Sequence, residues 1–151
     1  MPSGTHAEVL NVPVDDVWNF VSDIDKWAPL MPGYVEHEIL NDKESKWAFF
    51  GDIGIARKKI KLKVHIKTWQ EPSLIEFDLT GLNEKFTGEG SFLAETADKD
   101  KTRMTGYLDI KAKGMRAPVI NSVLKSFVPK QTRKLTESMA EKIKPRSQAR
   151  N

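Results

Sequence analysis

One stretch of strict alternation constrains the fold of this chain more than any other feature. Between positions 59 and 67 every odd residue is Lys or His, and every even residue is aliphatic: Ile60, Leu62, Val64 and Ile66. Successive side chains of a β-strand point to opposite faces of the sheet. The stretch therefore predicts a strand in an antiparallel sheet that has one buried and one solvated face.

The same period of two continues on both sides of this strand. It predicts strands at 34–41, 45–54, 57–70, 74–81, 85–97 and 102–113, joined by short turns. A first strand at 5–12 precedes two short helices, one that begins at Pro13 and one over 26–30.

Helical spacing returns near the end of the chain. It predicts one long helix over 117–143, which Pro129 should kink or divide. This helix is the only element large enough to cover the apolar face of the sheet. The fold class is therefore α+β, with a curved antiparallel sheet of about seven strands around a long C-terminal helix.

Length and composition exclude several classes of protein. The 151 residues fit one domain, which we place at 1–144, followed by a flexible basic tail at 145–151. With no cysteine, the chain has no disulfide framework and no thiolate site. No apolar run has the length of a membrane span, and the first residues lack a signal-peptide pattern. We expect a cytoplasmic protein, with peripheral contact to a membrane as a further option.

Charge is distributed unevenly along the chain. Residues 115–151 carry nine Lys/Arg against two Asp/Glu, whereas residues 1–114 carry 15 against 19. The basic segment is either a solvated helix face or a docking face for an anionic membrane surface or an acidic protein partner. No aromatic platform accompanies the charge, so we do not expect nucleic-acid binding.

The inward positions of the five strands from 45 to 113 carry no polar side chain. Four of the nine glycines lie among them, at Gly51, Gly88, Gly90 and Gly106. Glycines allow a sheet to curl and also remove volume, so we expect an apolar cavity beneath the long helix. The alternative is that they only let the helix pack closely. The expected cavity residues are Trp47, Phe49, Phe77, Leu79, Phe86, Phe92, Met104, Leu108, Ile120, Leu124, Phe127 and Gln131.

Polar candidates are few. His37 is a weak catalytic candidate, provided that its strand faces inward, and is otherwise an ordinary strand residue. Gln131 interrupts the apolar stripe of the long helix and either faces solvent or hydrogen-bonds a ligand carbonyl. The three histidines lie far apart in sequence, so we expect no metal site and no cofactor.

Several segments resemble a known superfamily. The stretch 12–23 (VPVDDVWNFVSD) is similar to the opening of SRPBCC proteins, the START and birch-pollen-allergen-like helix-grip proteins. Residues 27–28 (WA), 31–33 (MPG), 113–114 (KG) and 117–118 (AP) resemble the carbon monoxide dehydrogenase G-like branch. The resemblance covers about residues 4–143. It implies a sheet that grips a C-terminal helix around a hydrophobic tunnel, in which relatives bind lipids, sterols, quinones or polyketides.

The residues and the resemblance together favour one function. We expect non-enzymatic binding or carrying of a hydrophobic small molecule, such as a lipid, a quinone or a polyketide-like compound. One alternative is an enzyme of the polyketide cyclase or aromatase type. Another is an accessory protein of a membrane-associated oxidoreductase that docks through the basic face.

Overall fold

The computed structural model describes residues 2–52 and 57–143. Seven antiparallel strands form one sheet: β1 (Ser3–Leu10), β2 (Tyr34–Ile39), β3 (Glu44–Asp52), β4 (Arg57–Gln70), β5 (Leu74–Gly81), β6 (Phe86–Asp98) and β7 (Lys101–Ala112). The described helices are α1 (Val14–Val21), α2 (Ile24–Trp27), a short 3-10 helix (Ala28–Leu30) and α3 (Ala117–Ile143). The strand order is β1-β7-β6-β5-β4-β3-β2, so β1 and β2 are the edges.

The alternation of aliphatic and basic residues in the sequence matches the alternation of buried and outward-facing side chains in the sheet. In β4 the four aliphatic residues at the even positions from 60 to 66 are no more than 3% exposed, and the lysines between them face the outer side. The predicted fold class is confirmed, and α3 has the predicted bounds. Ile53, at the end of one predicted strand, and the predicted tail at 145–151 lie outside the described residues.

Several element boundaries differ from the sequence prediction by one or more residues, and two of these differences have a visible cause. Strand β1 ends at Leu10, and Val12 lies beyond it, where its carbonyl accepts a hydrogen bond from the Thr102 hydroxyl at 2.8 Å. Helix α2 begins at Ile24 because the Asp23 carboxylate caps it, accepting from the Asp25 amide at 3.1 Å. The Asp-Ile-Asp segment thus starts the second helix, although its polarity suggested a break.

Helix α3 lies across the inner face and packs mainly against β1 and β7. It continues through Pro129, so the predicted division does not occur. Leu124 and Val128 are buried before the proline and Leu135 after it. Because both halves pack on the sheet, tertiary contacts keep the helix continuous where the proline removes one backbone hydrogen bond.

Candidate functional site

A narrow apolar cavity lies between α3 and the part of the sheet formed by β3, β4, β5 and β7. Thirteen of its fourteen lining residues are apolar: Trp27, Met31, Trp47, Phe49, Leu62, Val64, Phe77, Leu79, Leu108, Ile110, Phe127, Val128 and Leu135. The fourteenth is Gln131. The cavity volume is about 40 Å³. Since one water occupies about 30 Å³ in the liquid and ligand pockets span roughly 300–1,000 Å³, a ligand requires the cavity to widen.

Aromatic rings form one wall of the cavity. Trp27 is 2% exposed, and its indole N–H donates to the Val21 carbonyl at 2.9 Å. Its ring centroid lies 5.2 Å from that of Trp47 and 5.0 Å from that of Phe92. Helix α2 therefore serves to place Trp27 against the sheet. Both rings pack in the core and also line the cavity.

The inward glycines do not create the cavity, which corrects the prediction made from the sequence. A Cβ atom built on Gly90 would lie 2.6 Å from the Phe77 ring, and one on Gly51 would lie 3.1 Å from Phe127. A Cβ on Gly106 would lie 2.3 Å from the Thr136 hydroxyl of α3. Neighbouring side chains fill the volume at these three glycines, and two of these neighbours, Phe127 and Thr136, belong to α3. The apolar cavity expected beneath the long helix is present, and its free volume lies elsewhere.

An open groove lies at the end of the sheet, between the β5–β6 turn and the segment that joins β7 to α3. It has a volume of about 770 Å³, and its lining includes Gly81, Phe86, Ala112 and Ile120. Gly81 follows the cavity residue Leu79 by two positions on β5, and Ala112 follows Ile110 in the same way on β7. Because residues two apart share a strand face, these groove residues lie on the same face of the sheet as the cavity, although the two linings have no residue in common.

The twelve residues predicted for the cavity fall into three groups. Seven line it: Trp47, Phe49, Phe77, Leu79, Leu108, Phe127 and Gln131. Phe86 and Ile120 line the groove. Phe92, Met104 and Leu124 lie in neither lining and are buried in the surrounding core.

Sequence reasoning missed half of the lining. Leu62, Val64 and Ile110 were expected on the inner face, and the register that places them beneath α3 depends on the tertiary structure. Trp27 and Met31 come from the segment between α1 and β2, where no periodicity connects them to the sheet. Their only signal was their size and apolar character.

Gln131 is the single polar residue of the lining. It is 7% exposed, so the solvent-facing alternative is wrong. The buried Thr132 and Thr136 hydroxyls donate to helix carbonyls of Val128 and Thr132, at 2.8 and 2.7 Å. Gln131 makes no hydrogen bond within the described part of the chain.

The sequence was compared with protein-family models and with curated proteins. One protein-family model matches residues 4–146, which is nearly the whole chain. The chain belongs to that family. A sequence search of curated proteins gives no significant match.

Solved structures show the same fold over nearly the whole chain. A conserved protein from Geobacillus kaustophilus aligns with a TM-score of 0.78 at 15% identity, covering 93% of this chain and 94% of that one. A START superfamily protein from Mycobacterium smegmatis aligns with a TM-score of 0.72 at 16% identity, covering 93% and 96%. The Zhui aromatase/cyclase from Streptomyces sp. R1128 aligns with a TM-score of 0.55 at 16% identity, covering 93% and 85%.

At these identities the likeness establishes the fold alone. The fold is the helix-grip fold, which the chain shares with the START superfamily protein and with the aromatase/cyclase. The finer resemblance to the carbon monoxide dehydrogenase G-like branch is not confirmed by them. No helix within the described residues is long and apolar enough to cross a membrane.

His37 is part of a short chain of hydrogen bonds beside the cavity. Its Nε2 lies 2.6 Å from the Asp25 carboxylate, and its Nδ1 lies 2.7 Å from the Tyr34 hydroxyl. Since the carboxylate can only accept, Nε2–H donates to Asp25; in the neutral ring Nδ1 then accepts from the Tyr34 O–H. The ring centroid of His37 is 6.3 Å from that of the cavity residue Trp47. His37 itself is not a lining residue of the cavity.

Shifted pKa values belong to the outer face of the sheet. Hydrogen bonding and charge from Lys63, 2.8 Å away, lower the pKa of the Glu44 carboxyl from 4.5 to about 2. A hydrogen bond to Asp78 raises the pKa of Lys67, and burial, reinforced by Asp109, raises the pKa of Tyr107. Perturbed pKa values often mark catalytic sites, and here they lie away from the cavity.

One cluster of side chains has the composition of a metal site. Ligand atoms of His6 and Glu8 on β1 and of Glu137 on α3 all lie within 4.8 Å of one another. The sequence expectation missed this cluster because it considered only the spacing of histidines. His6 Nε2 already lies 2.6 Å from Glu8, and Arg133 lies 4.0 Å from Glu137. These three side chains thus already make one hydrogen bond and one ion pair with protein groups.

Proposed function

We propose that this protein binds and carries a hydrophobic small molecule, such as a lipid, a quinone or a polyketide-like compound, without converting it chemically. The observation that supports this function is the lining of the cavity, in which no described residue carries a titratable side chain. Acid–base catalysis needs such a group within hydrogen-bond reach of the substrate. Apolar ligand capture needs only an apolar wall and a few polar anchors.

Binding on this proposal begins in the groove and widens the cavity. The groove volume of about 770 Å³ lies within the range of ligand pockets, whereas the cavity volume of about 40 Å³ does not. Met31 and Phe127 are half-buried lining residues, and methionine adapts its shape readily. Burial of the ligand supplies about 25 cal/mol per Å² of apolar surface, which drives the opening.

Native mass spectrometry of protein purified from its own host, followed by solvent extraction, tests the proposal. We expect a co-purified apolar molecule that Val128→Phe displaces, because Val128 is fully buried and lines the cavity. Val123→Phe is the matched control, since Val123 lies on the same helix outside the lining. Wild-type protein that is consistently empty and takes up no added apolar compound would contradict the proposal.

A second candidate function is a cyclase or aromatase type of enzyme. The hydrogen-bond chain from Asp25 through His37 to Tyr34 favours it, because a carboxylate that orients a histidine is a common arrangement for proton transfer. Its test is turnover of a polyketide-like substrate by the wild type and by His37→Ala. Turnover that survives in the variant removes His37 from catalysis.

We also propose that the groove end of the molecule contacts an anionic membrane surface. Met115 and Val119 are 101% and 67% exposed there. The neighbouring groove residues Lys85, Lys113 and Arg116 make no ion pair among the described residues. Exposed apolar tips within a basic rim suit an anionic bilayer, and the same contact would suit an accessory protein of a membrane-associated oxidoreductase.

Vesicle sedimentation tests the membrane contact. We expect binding to vesicles that contain phosphatidylglycerol, weaker binding at high salt, and loss of binding in Met115→Glu. The matched control is Val9→Glu, because Val9 is a 53% exposed apolar residue on β1. Equal binding by both variants, or binding to an acidic protein without binding to vesicles, would overturn this assignment.

A further inference from the structure

Two polar side chains occupy the inner face of the edge strand β1. Burial alternates along this strand, and Gly4 and Leu10 near its two ends are buried. His6 and Glu8 take the two inward positions between them and are half-buried. On the central strand β4 the inward positions are aliphatic. An imidazole and a carboxylate therefore lie side by side where β4 carries apolar side chains.

Helix α3 brings a second carboxylate to this pair. His6 lies opposite Gly106 of β7, and Gly106 lies beneath Thr136 of α3. Glu137 is the next residue of the helix. One oxygen of Glu137, one oxygen of Glu8 and a ring nitrogen of His6 all lie within 4.8 Å of one another. Two carboxylates at this separation repel each other, and a cation between them replaces the repulsion with attraction.

The three donor atoms form a set that suits a transition-metal ion. Zn²⁺ binds imidazole nitrogen and carboxylate oxygen at about 2.0–2.2 Å, so the ligand atoms of a tetrahedral site lie roughly 3.3–3.6 Å apart. Rotations of the long Glu8 and Glu137 side chains are enough to reach that spacing. Mg²⁺ and Ca²⁺ prefer oxygen ligands alone, so the imidazole selects against them. Within residues 2–52 and 57–143, no other three His, Asp or Glu side chains bring their ligand atoms this close together.

The protein groups that already contact these side chains are easily displaced. His6 Nε2 lies 2.6 Å from the Glu8 carboxylate, and a metal ion at Nε2 moves the proton of the neutral ring to Nδ1. Arg133 Nε lies 4.0 Å from Glu137, and both of these side chains are about half exposed. An exposed ion pair of this length contributes little to stability. The exposed Glu137 also gives an ion direct access from solvent.

We propose that His6, Glu8 and Glu137 bind one divalent transition-metal ion of the Zn²⁺ type, with water at the remaining position. The ion joins the edge strand β1 to α3, on the side where the helix makes most of its contacts with the sheet. None of the three ligands lines the apolar cavity. The site is structural: it holds the helix on the sheet, and it is independent of the proposed carrying of an apolar ligand.

Isothermal titration of the untagged full chain with zinc chloride tests the proposal. We expect one Zn²⁺ per chain in the wild type. His6→Ala and Glu137→Gln should each weaken the binding by about 10-fold or more, since even the loss of a partner behind a metal ligand has an effect of this size. Because Glu137 is about half exposed, Glu137→Gln removes a ligand without disturbing the core.

His65→Ala is the matched control. His65 lies on the outer face of the sheet, 3.7 Å from the Glu44 carboxylate, so it is also a histidine beside an acidic residue. Its loss should leave the affinity for Zn²⁺ unchanged. Saturating Zn²⁺ should raise the midpoint of thermal unfolding in the wild type and in His65→Ala, and should not do so in His6→Ala.

Nitrogen NMR of the histidine rings gives a direct signature of the ligand atom. Zn²⁺ should shift the Nε2 signal of His6, leave its Nδ1 protonated and leave the signals of His65 in place. Absence of saturable zinc binding by the wild type, or equal affinity in the wild type, His6→Ala and Glu137→Gln, overturns the proposal. Equal affinity for Mg²⁺ and Zn²⁺ also overturns it, because the imidazole would then take no part in binding. Circular dichroism confirms that each variant is folded.

Discussion

The two sides of helix α3 differ in how closely they approach the sheet. On the β1 and β7 side the contact is tight, because a Cβ atom on Gly4 would lie 2.5 Å from the Pro129 Cα atom. Gly106 lies beneath Thr136 in the same way. Toward β3–β5 and the second half of β7 the helix leaves the cavity, whose lining includes Phe77 of β5, Leu108 of β7 and Val128 of α3.

The difference shows how this fold obtains its cavity. Gly4 and Gly106 let α3 approach β1 and β7 closely, and no free volume remains between them. The cavity lies on the other side, where large side chains such as Trp27 and Trp47 hold the walls apart. In this protein, glycines such as Gly4 and Gly106 therefore mark where α3 packs closely on the sheet. Large aromatic residues mark the cavity wall.

The largest expected effect tests the tight side. Gly4→Ala adds one carbon against the backbone of Pro129, which cannot rotate away, so it should destabilise the protein by about 2–3 kcal/mol. Urea unfolding measures the loss. Ser3→Ala is the control, because Ser3 is the exposed neighbour on the same strand, and it should change little. Equal stability of Gly4→Ala and the wild type would show that the contact is loose.

The next largest effect concerns Gln131, the polar residue of the cavity lining. Gln131→Leu should stabilise the protein by up to about 1 kcal/mol, because the residue is only 7% exposed and leucine adds apolar burial there without desolvating an amide. Thermal or urea unfolding of the ligand-free protein measures it. Gln70→Leu, at an exposed position of β4, should show no such gain. Destabilisation by Gln131→Leu would mean that the amide has a partner that stabilises the fold.

A smaller effect should have the opposite sign to that of Gly4→Ala. Val64→Ile adds one methylene group toward the cavity, whose volume of about 40 Å³ can accept it. We expect stabilisation of up to about 0.8 kcal/mol from the added apolar burial. Val17→Ile is the matched control, since Val17 is fully buried in α1 and outside the cavity lining. A loss of stability in Val64→Ile as large as that in Val17→Ile would mean that both sites are equally full.

The smallest effect lies on the outer face, away from both sides of the helix. The pKa of Glu44 is lowered from 4.5 to about 2, so the carboxylate stabilises the fold above pH 4.5. That contribution should disappear as the pH falls from 4.5 to about 2. The pair is solvent-exposed, so the change in stability should be slight, and carbon-detected NMR titration is the suitable measurement. In Lys63→Ala the pKa of Glu44 should rise toward 4.5; an unchanged value would exclude Lys63 as the main cause.

The sequence predicted the parts of the fold that depend on local pattern. Alternation in β4 determined which face is buried, and helical spacing determined the bounds of α3, because each pattern repeats over many residues. The same pattern placed Phe77, Leu79 and Leu108 on the face that lines the cavity.

What could not be predicted depends on contacts between distant segments. The role of Gly4 depends on its position opposite Pro129, and the His37 chain depends on Asp25 from another element. Gln131 is buried in a helix that packs mainly against β1 and β7. This packing involves residues distant in sequence, so no local pattern around Gln131 predicts it. The cavity volume is the small difference between the space enclosed by the sheet and α3 and the volume of the side chains that fill it. Only the three-dimensional packing of those side chains determines this difference.

Two of the four tryptophans, Trp27 and Trp47, stand at the cavity wall. The other two, Trp18 and Trp69, form a separate pair whose centroids are 6.3 Å apart, and Trp69 is 36% exposed. The protein thus carries an internal fluorescent reporter at the site together with a reference pair away from it. Occupation of the cavity should alter the emission of the first pair without any label being attached.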